Sequence, residues 1–287
     1  MKIAVSFTGT ISTGEFENEK PFFSMEEEFT GNDLEIRKRQ EDMYGMCRTM
    51  FDMVQKESIV RRIAKQREGM RFYPPENYPS VTSIIGWDDD YFMGAEELAQ
   101  HGARGTILHK LSEYYDLHKV WKDPKEFPEL YPDLVILKKG NLNLPLDDVD
   151  YPAFLEAYPI AFISHEVVVK NHTHKYAGRQ DAVGTPIVIE EDKEKKIKAN
   201  AWAKLGVKPV LTLFDKKFGA MDEHKYMQQL TAYWNCPENE DVKQIILIHL
   251  NKRTEQGFSK PKICTDKEKY MPLFLNNREN FKKRFGV

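Results

Sequence analysis

Asp215 and Lys217 stand two positions apart in PVLTLFDKK, a short apolar run with strand character. On a strand, residues i and i+2 project from one face, so this carboxylate and this ammonium enter the same space. A second acid, Asp181, sits in YAGRQDAVG, another segment of strand type. If a neighbouring strand brings Asp181 up to Asp215, two anionic centres and a lysine converge. Such a set suits a hard divalent cation, which takes oxygen ligands and leaves positions for water and phosphate. The chemistry these residues suit is that of a metal ion shared between protein oxygens, water and a substrate phosphate.

Other polar residues could join that centre. His109 lies in ARGTILHKLSEYY, one turn beyond Gly105. Gly102 and Gly105 each weaken a helix interior by about 1 kcal/mol relative to alanine. They suggest a close approach by backbone or ligand, or a break before Thr106. Gln229 and Tyr233, four apart, lie one above the other on a helix face, as would a core tyrosine beside a surface glutamine. Glu166 in AFISHEVVVK faces either a metal or solvent; the two-residue strand period leaves both open. His172 and His174 have the i, i+2 spacing of a ligand pair but fall among polar residues at a turn, and neutral imidazole does not outcompete paired carboxylates for Mg²⁺.

Residues 2–8 alternate, and with Gly14 and Phe16 beyond them they read as a short hairpin. Ser24 followed by Glu27 is a capping-box pattern that would open a helix at MEEEF. Residues 33–67 read as an amphipathic helix with one break, with Met46, Met50, Met53, Ile59, Val60 and Ile63 on its apolar positions. Arg48, Lys56, Arg61, Arg62, Lys65 and Arg67 lie between them, as a solvated face or a stripe that tracks phosphates. The prolines of YPPENYPSVTSII (73–85) exclude helix and mark a soft boundary.

A helix follows over 95–118, then a loop with short turns over 119–150, a short helix at YPAFLEAYP and a strand over 161–170. The polar run EEDKEKKIKAN (190–200) reads as an exposed hairpin tip or insertion between core strands. Beyond the DKK strand come a helix whose apolar period includes Met221, Tyr226, Leu230 and Tyr233, an apolar strand over 241–250, and a C-terminal helix. The expected architecture is α/β, a central mixed β-sheet flanked by helices in residues 76–287, with an N-terminal hairpin-plus-helix extension in residues 1–75.

Composition narrows the classes. In 287 residues, 30% are charged yet the formal net charge is −3, so any surface for nucleic acid must be local. The three cysteines form no CxxC pair, which argues against a zinc site, an iron–sulfur cluster and a disulfide scaffold. No signal-peptide core and no apolar run of about 18 residues is present, so a soluble, cytoplasmic protein with no membrane partner is expected.

Four elements stand in a fixed order: GTxxH (Gly105, Thr106, His109), GRxD (Gly178, Arg179, Asp181), DxK (Asp215, Lys217) and QxxxY (Gln229, Tyr233). This order resembles the RecB-type exonuclease branch of the PD-(D/E)XK nuclease superfamily. The preceding PSVTSII is similar to the lead-in segment of mitochondrial genome maintenance exonucleases and their phage relatives. The similarity covers about residues 78–250. Two features depart from many relatives: Asp215 stands where they have glutamate, and the 190–200 insertion is long.

The resemblance implies a restriction-endonuclease-like core and an exonuclease acting on single-stranded DNA or DNA ends in replication, recombination or repair, with replication or recombination proteins as partners. It also implies Mg²⁺ or Mn²⁺ held by Asp181, Asp215, His109 and the backbone carbonyl of Lys216; Glu166, from its strand position alone, is a candidate additional ligand. Lys217 would orient the attacking water or stabilise charge on phosphorus, and Gln229 and Tyr233 would hold the scissile strand or brace Lys217. Ser80, Thr82, Thr106, Arg104 and Arg179 would contact DNA, with Lys216 and the 48–67 helix along the same groove. An endonuclease on the same core, or a binding protein that kept the fold and lost the chemistry, are the alternatives.

Overall fold

A computed structural model describes residues 2–8, 11–12, 18–19, 21–68, 70–87, 95–219, 222–250 and 257–287. Gly14, Phe16 and Met221, assigned above to a turn and a helix, lie outside them. So do the side chains of Ile59, Val60, Arg61, Arg62, Ile63, Lys65 and Arg67. The chain divides into two compact units, residues 1–70 with 284–286, and residues 71–283 with 287.

In the first unit, β1 (Lys2–Thr8) pairs antiparallel with β4 (Phe22–Glu28), and β2 (Ile11–Ser12) with β3 (Asn18–Glu19). The MEEEF segment is thus strand, and the Ser24–Glu27 cap does not form. Helix α1 (Asp33–Glu68) starts later and runs without a break. Its cap is Asn32: Oδ1 accepts from the amides of Leu34 and Glu35, both at 3.1 Å, while Glu35 accepts from the Asn32 amide at 2.9 Å. That is a reciprocal capping box with asparagine in the leading place. The Phe7 ring of β1 meets Tyr44 and Phe51 of α1 edge-on, over buried Met43 and Cys47.

The second unit opens with β5 (Phe72–Tyr73) paired to β6 (Tyr78–Pro79), and then α2 (Val81–Gly86). The prolines bar helix only as far as Pro79. Ser80 then caps α2, its hydroxyl accepting from the Ser83 amide at 2.9 Å. Helix α3 (Ala95–His118) runs straight through both glycines. Residues 119–150, expected as loop, contain α4 (Tyr131–Lys139), with a proline in its first turn. After α5 (Tyr151–Ala157) come β7 (Ile160–Asn171) and β8 (Tyr176–Pro186), α6 (Ala201–Lys204), β9 (Thr212–Lys217), α7 (Glu223–Trp234), β10 (Gln244–His249), β11 (Lys262–Cys264) and α8 (Met271–Phe285).

Five of these strands form one mixed sheet in the order β11-β10-β9-β8-β7, flanked by helices. Only β9 and β10 run parallel; the other neighbours are antiparallel. Every residue of β10 is buried, which explains the unbroken apolar run from Ile245 to Ile248: a central strand covered on both faces needs no alternation. Phe214, Ile246 and Ile248 pack with Tyr151, Phe154 and Trp202 in the main core, each such side chain contributing roughly 1.5–3 kcal/mol by burial. Ile107 and Leu111 of α3 anchor Phe127 and Leu130 in a second cluster. Helix α3 is thereby fixed where it can present His109. Among the described residues, no helix is long and apolar enough to cross a membrane.

Candidate functional site

The sheet carries the site at the point where β8 and β9 part. Their paired residues run from Gly184↔Thr212 to Ala182↔Phe214, and the next position brings Asp181 and Asp215 together on one face. The Lys216 amide donates to Asp181 Oδ2 at 2.8 Å, so a side chain takes the place of a strand partner. Asp215 and Lys217 project towards α7, while Lys216 between them turns the other way, as the two-residue period requires.

On the α7 side, Lys217 Nζ lies 3.1 Å from Asp215 Oδ1, 2.8 Å from Oδ2 and 3.4 Å from Gln229 Oε1. Gln229 Nε2 reaches Tyr233 Oη at 3.2 Å and Asp215 Oδ1 at 3.4 Å. The ring of Tyr226 lies beneath the ammonium, 4.7 Å from Nζ. Tyr226, Gln229 and Tyr233 follow i, i+3, i+7 along α7, the stripe that faces one neighbour. Gly178 opens the space for Tyr233: a Cβ there would stand 2.3 Å from the ring carbon Cε1.

On the other flank, His109 Nδ1 is 3.5 Å from Asp181 Oδ2, and its ring meets Phe218 edge-on. Glu166 of β7 forms an ion pair with Arg179, Oε2 to Nε at 2.8 Å. One donor atom each from His109, Glu166 and Asp181 lie within 4.8 Å of one another. Glu166 holds φ at +53°, a left-handed conformation uncommon for a residue with a side chain. Backbone strain of this kind, costing of order 1–3 kcal/mol, concentrates at functional sites.

His109, Glu166, Arg179, Asp181, Lys217, Gln229 and Tyr233 border a cavity of about 580 Å³, also lined by Arg71, Tyr73, Thr82, Thr106 and Lys110; Asp215 is buried and does not reach its surface. Arg71 and Tyr73 were not singled out from the sequence. Tyr73 ends the two-residue strand β5 and Arg71 directly precedes it, and single polar residues before a proline pair carry no pattern that marks them.

Electrostatics separate the carboxylates. Burial raises Asp215 to about 7, with Asp181 adding to the shift and Lys217 opposing it. Burial also opposes ionisation of Asp181, but His109, Lys217 and the Lys216 amide outweigh it and hold that carboxyl below its ordinary value. Burial raises Glu166, with Asp181 adding to it and Arg179 opposing. The His109 imidazole is lowered to about 4 by burial, against the pull of Asp181, and is neutral at pH 7. Burial would lower Lys217, yet Asp215 and Asp181 overcome it and keep the ammonium above its usual value. The site therefore pairs a charged lysine and a charged Asp181 with a neutral imidazole, a free ligand for a cation.

Three assignments differ from the sequence reading. Arg104 is buried; it donates to the carbonyls of Pro145 and Phe218 and pairs with Asp148, so it clamps loops and has no surface for DNA. Lys216 meets Asp181 through its amide, a donor, and its side chain is buried away from the cavity against Asp116 at 2.6 Å. Ser80 is buried and committed to capping α2, leaving Thr82 beside it on the cavity wall. A Cβ at Gly102 or Gly105 would meet no neighbouring element within 4 Å, so the expected close approach by another part of the backbone is not what these glycines serve. Compared with known proteins, the chain matches no family model and no curated protein.

Proposed function

We propose that the chain is a divalent-cation-dependent nuclease that hydrolyses phosphodiester bonds of DNA, with single-stranded ends as its substrate. The observation that carries this reading is the convergence on one cavity of four sequence elements, GTxxH, GRxD, DxK and QxxxY, from α3, β8, β9 and α7. The mixed sheet with DxK on a central strand also agrees with a restriction-endonuclease-like core and with the RecB-type branch of the PD-(D/E)XK nucleases.

One imidazole and two carboxylates form a donor set that fits Mg²⁺ or Mn²⁺. His109, Glu166 and Asp181 would hold the ion, with Asp215 adjoining through its place next to Asp181. When bound, such an ion supplies positive charge for a phosphoryl oxygen and acidity for water. Lys217, kept charged by two acids, stands ready to stabilise the negative charge that develops on phosphorus and to orient water. Asp215, Gln229 and the Tyr226 ring hold that ammonium in place, and Tyr233 braces Gln229. Arg179, half exposed on the cavity wall, and Arg71 offer guanidinium groups to phosphates on the approach.

End-labelled single- and double-stranded DNA, linear and circular, incubated with Mg²⁺ or Mn²⁺ and with EDTA, tests the proposal. The expected result is metal-dependent loss of linear single strands, abolished by Asp215→Ala and by Lys217→Ala. Cleavage of circles would replace it with an endonuclease, and binding without cleavage by the unaltered chain would leave a binding module.

A further inference from the structure

A second cavity, of about 500 Å³, opens on the opposite side of α4 from the first. Leu130 and Asp133 line the main cavity, and their neighbours Tyr131 and Leu134 line this one. Its floor is apolar, made by Phe127, Leu134 and Val135. The floor is also anchored: Phe127 is buried against the Tyr114 ring of α3, 5.2 Å between centroids, and belongs to the cluster that holds Ile107 and Leu111. The wall is thus rigidly tied to the helix that carries His109.

Two further observations identify an occupant. Tyr131 is 69% exposed at the rim, a large aromatic face offered to solvent at the mouth of an apolar recess. Three lysines, Lys125, Lys138 and Lys139, surround the same recess, and no carboxylate lines it. Lys125 has a loose pair in Asp123 at 3.8 Å, whereas Lys138 and Lys139 have no ion-pair partner among the described residues. Glu129 and Asp133, from the same stretch of chain, lie on the main-cavity side, with Glu129 3.8 Å from Lys110.

We propose that this recess is a second subsite for single-stranded nucleic acid, seating an unpaired base on Tyr131 and the apolar floor while the lysines take the flanking phosphates. An exposed aromatic ring beside a cationic rim is how proteins hold unpaired strands, because every base has a flat face and a duplex hides it. A helix is about 10–12 Å across with its side chains. A ligand that reaches both cavities over α4 is therefore a strand of several nucleotides and not a free nucleotide. The subsite rests on the nuclease reading for its biological use, and it explains how such an enzyme would prefer single strands.

Fluorescence anisotropy of a labelled oligothymidylate, long enough to span both cavities, tests it with the full chain in EDTA. Thymidine monophosphate and a blunt duplex serve as competitors. Tyr131→Ala is expected to weaken binding about 5- to 150-fold, the range for one stacked base, and Tyr131→Phe to leave it intact. Lys138→Gln with Lys139→Gln is expected to reduce the slope of log affinity against log salt by about 1.4, from about 0.7 for each single-strand phosphate contact. Neither competitor should displace the oligomer. Thermal melting of each variant, expected to be unchanged at these surface positions, separates lost contact from lost fold. Unaltered oligomer affinity and salt slope in both variants, with metal-dependent cleavage intact, would overturn the subsite and leave the nuclease reading standing. Weakened binding in the variants, with no cleavage by the parent chain under any metal, would keep the subsite and overturn the nuclease reading.

Discussion

Behind the strand that carries Asp215 and Lys217, a second set of charges is sealed in the core. Lys216 Nζ lies 2.6 Å from Asp116 Oδ2 and 3.3 Å from Ser112 Oγ, above the Tyr151 ring at 4.9 Å, and Tyr151 Oη donates to Asp116 Oδ1 at 2.6 Å. Asp116→Asn removes the anion while keeping an oxygen for Tyr151. Breaking one side of a buried pair costs about 3–5 kcal/mol, because the remaining charge stays uncompensated.

The expected loss is therefore about 3–5 kcal/mol, or roughly 6–20 °C in Tm for a unit of this size. Urea unfolding of parent and variant reads it. Adding Lys216→Met to Asp116→Asn should recover most of the loss, since an apolar replacement of a buried pair is often neutral. A deficit under 1 kcal/mol, or no recovery when Lys216→Met is added, would refute it.

Other expectations follow from the site. In metal-free protein, His109 and Asp215 oppose each other in pH dependence. The imidazole, lowered when folded, gives stability that is complete above its unfolded value near 6.5 and is lost as pH falls towards 4. The Asp215 carboxyl, raised when folded, gives stability present below its unfolded value of 3.8 and lost as pH rises towards 7. Asp215→Asn should therefore leave a chain whose Tm climbs between pH 4 and 6.5, and His109→Gln one whose Tm falls from pH 4 to 7; parallel profiles would contradict the shifts. Gly178→Ala should drive Tyr233 from its place, with stability lower by about 1–3 kcal/mol as in an overpacked core and DNA cleavage reduced along with it; full activity at unchanged Tm would exclude that contact. Gly105→Ala has open space and should raise stability by about 0.4–1 kcal/mol. If cleavage falls while Tm rises, that glycine serves a ligand; if both hold or improve, it serves none.

Most of the sheet and the long helices were legible because burial imposes a period: β7, β8, β9, α3 and α7 lie where their apolar spacing put them. Local chemistry was harder. The Ser24–Glu27 signal was overruled by pairing with β1, whereas Asn32, three residues before Glu35, made the real cap. Helix α4 was hidden by the prolines, aspartates and lysines around it, which suit a helix surface as well as a loop. Charge was the least legible property. Nothing in a linear pattern tells that Arg104 is spent on two carbonyls and Asp148, or that Lys216 meets an acid a hundred residues away in the core. A buried ion pair looks like two surface residues until the tertiary fold joins them.

Asp181 has a duty besides any reaction, since its carboxylate closes the hydrogen bond of the Lys216 amide where two central strands separate. An acid at this position would be selected to hold the sheet even in a descendant that no longer cut anything. Lys217 carries no such obligation to the backbone. Among diverging copies of this gene, a vanished lysine at 217 would therefore be the earlier mark of decay, and a surviving aspartate at 181 would say little about activity.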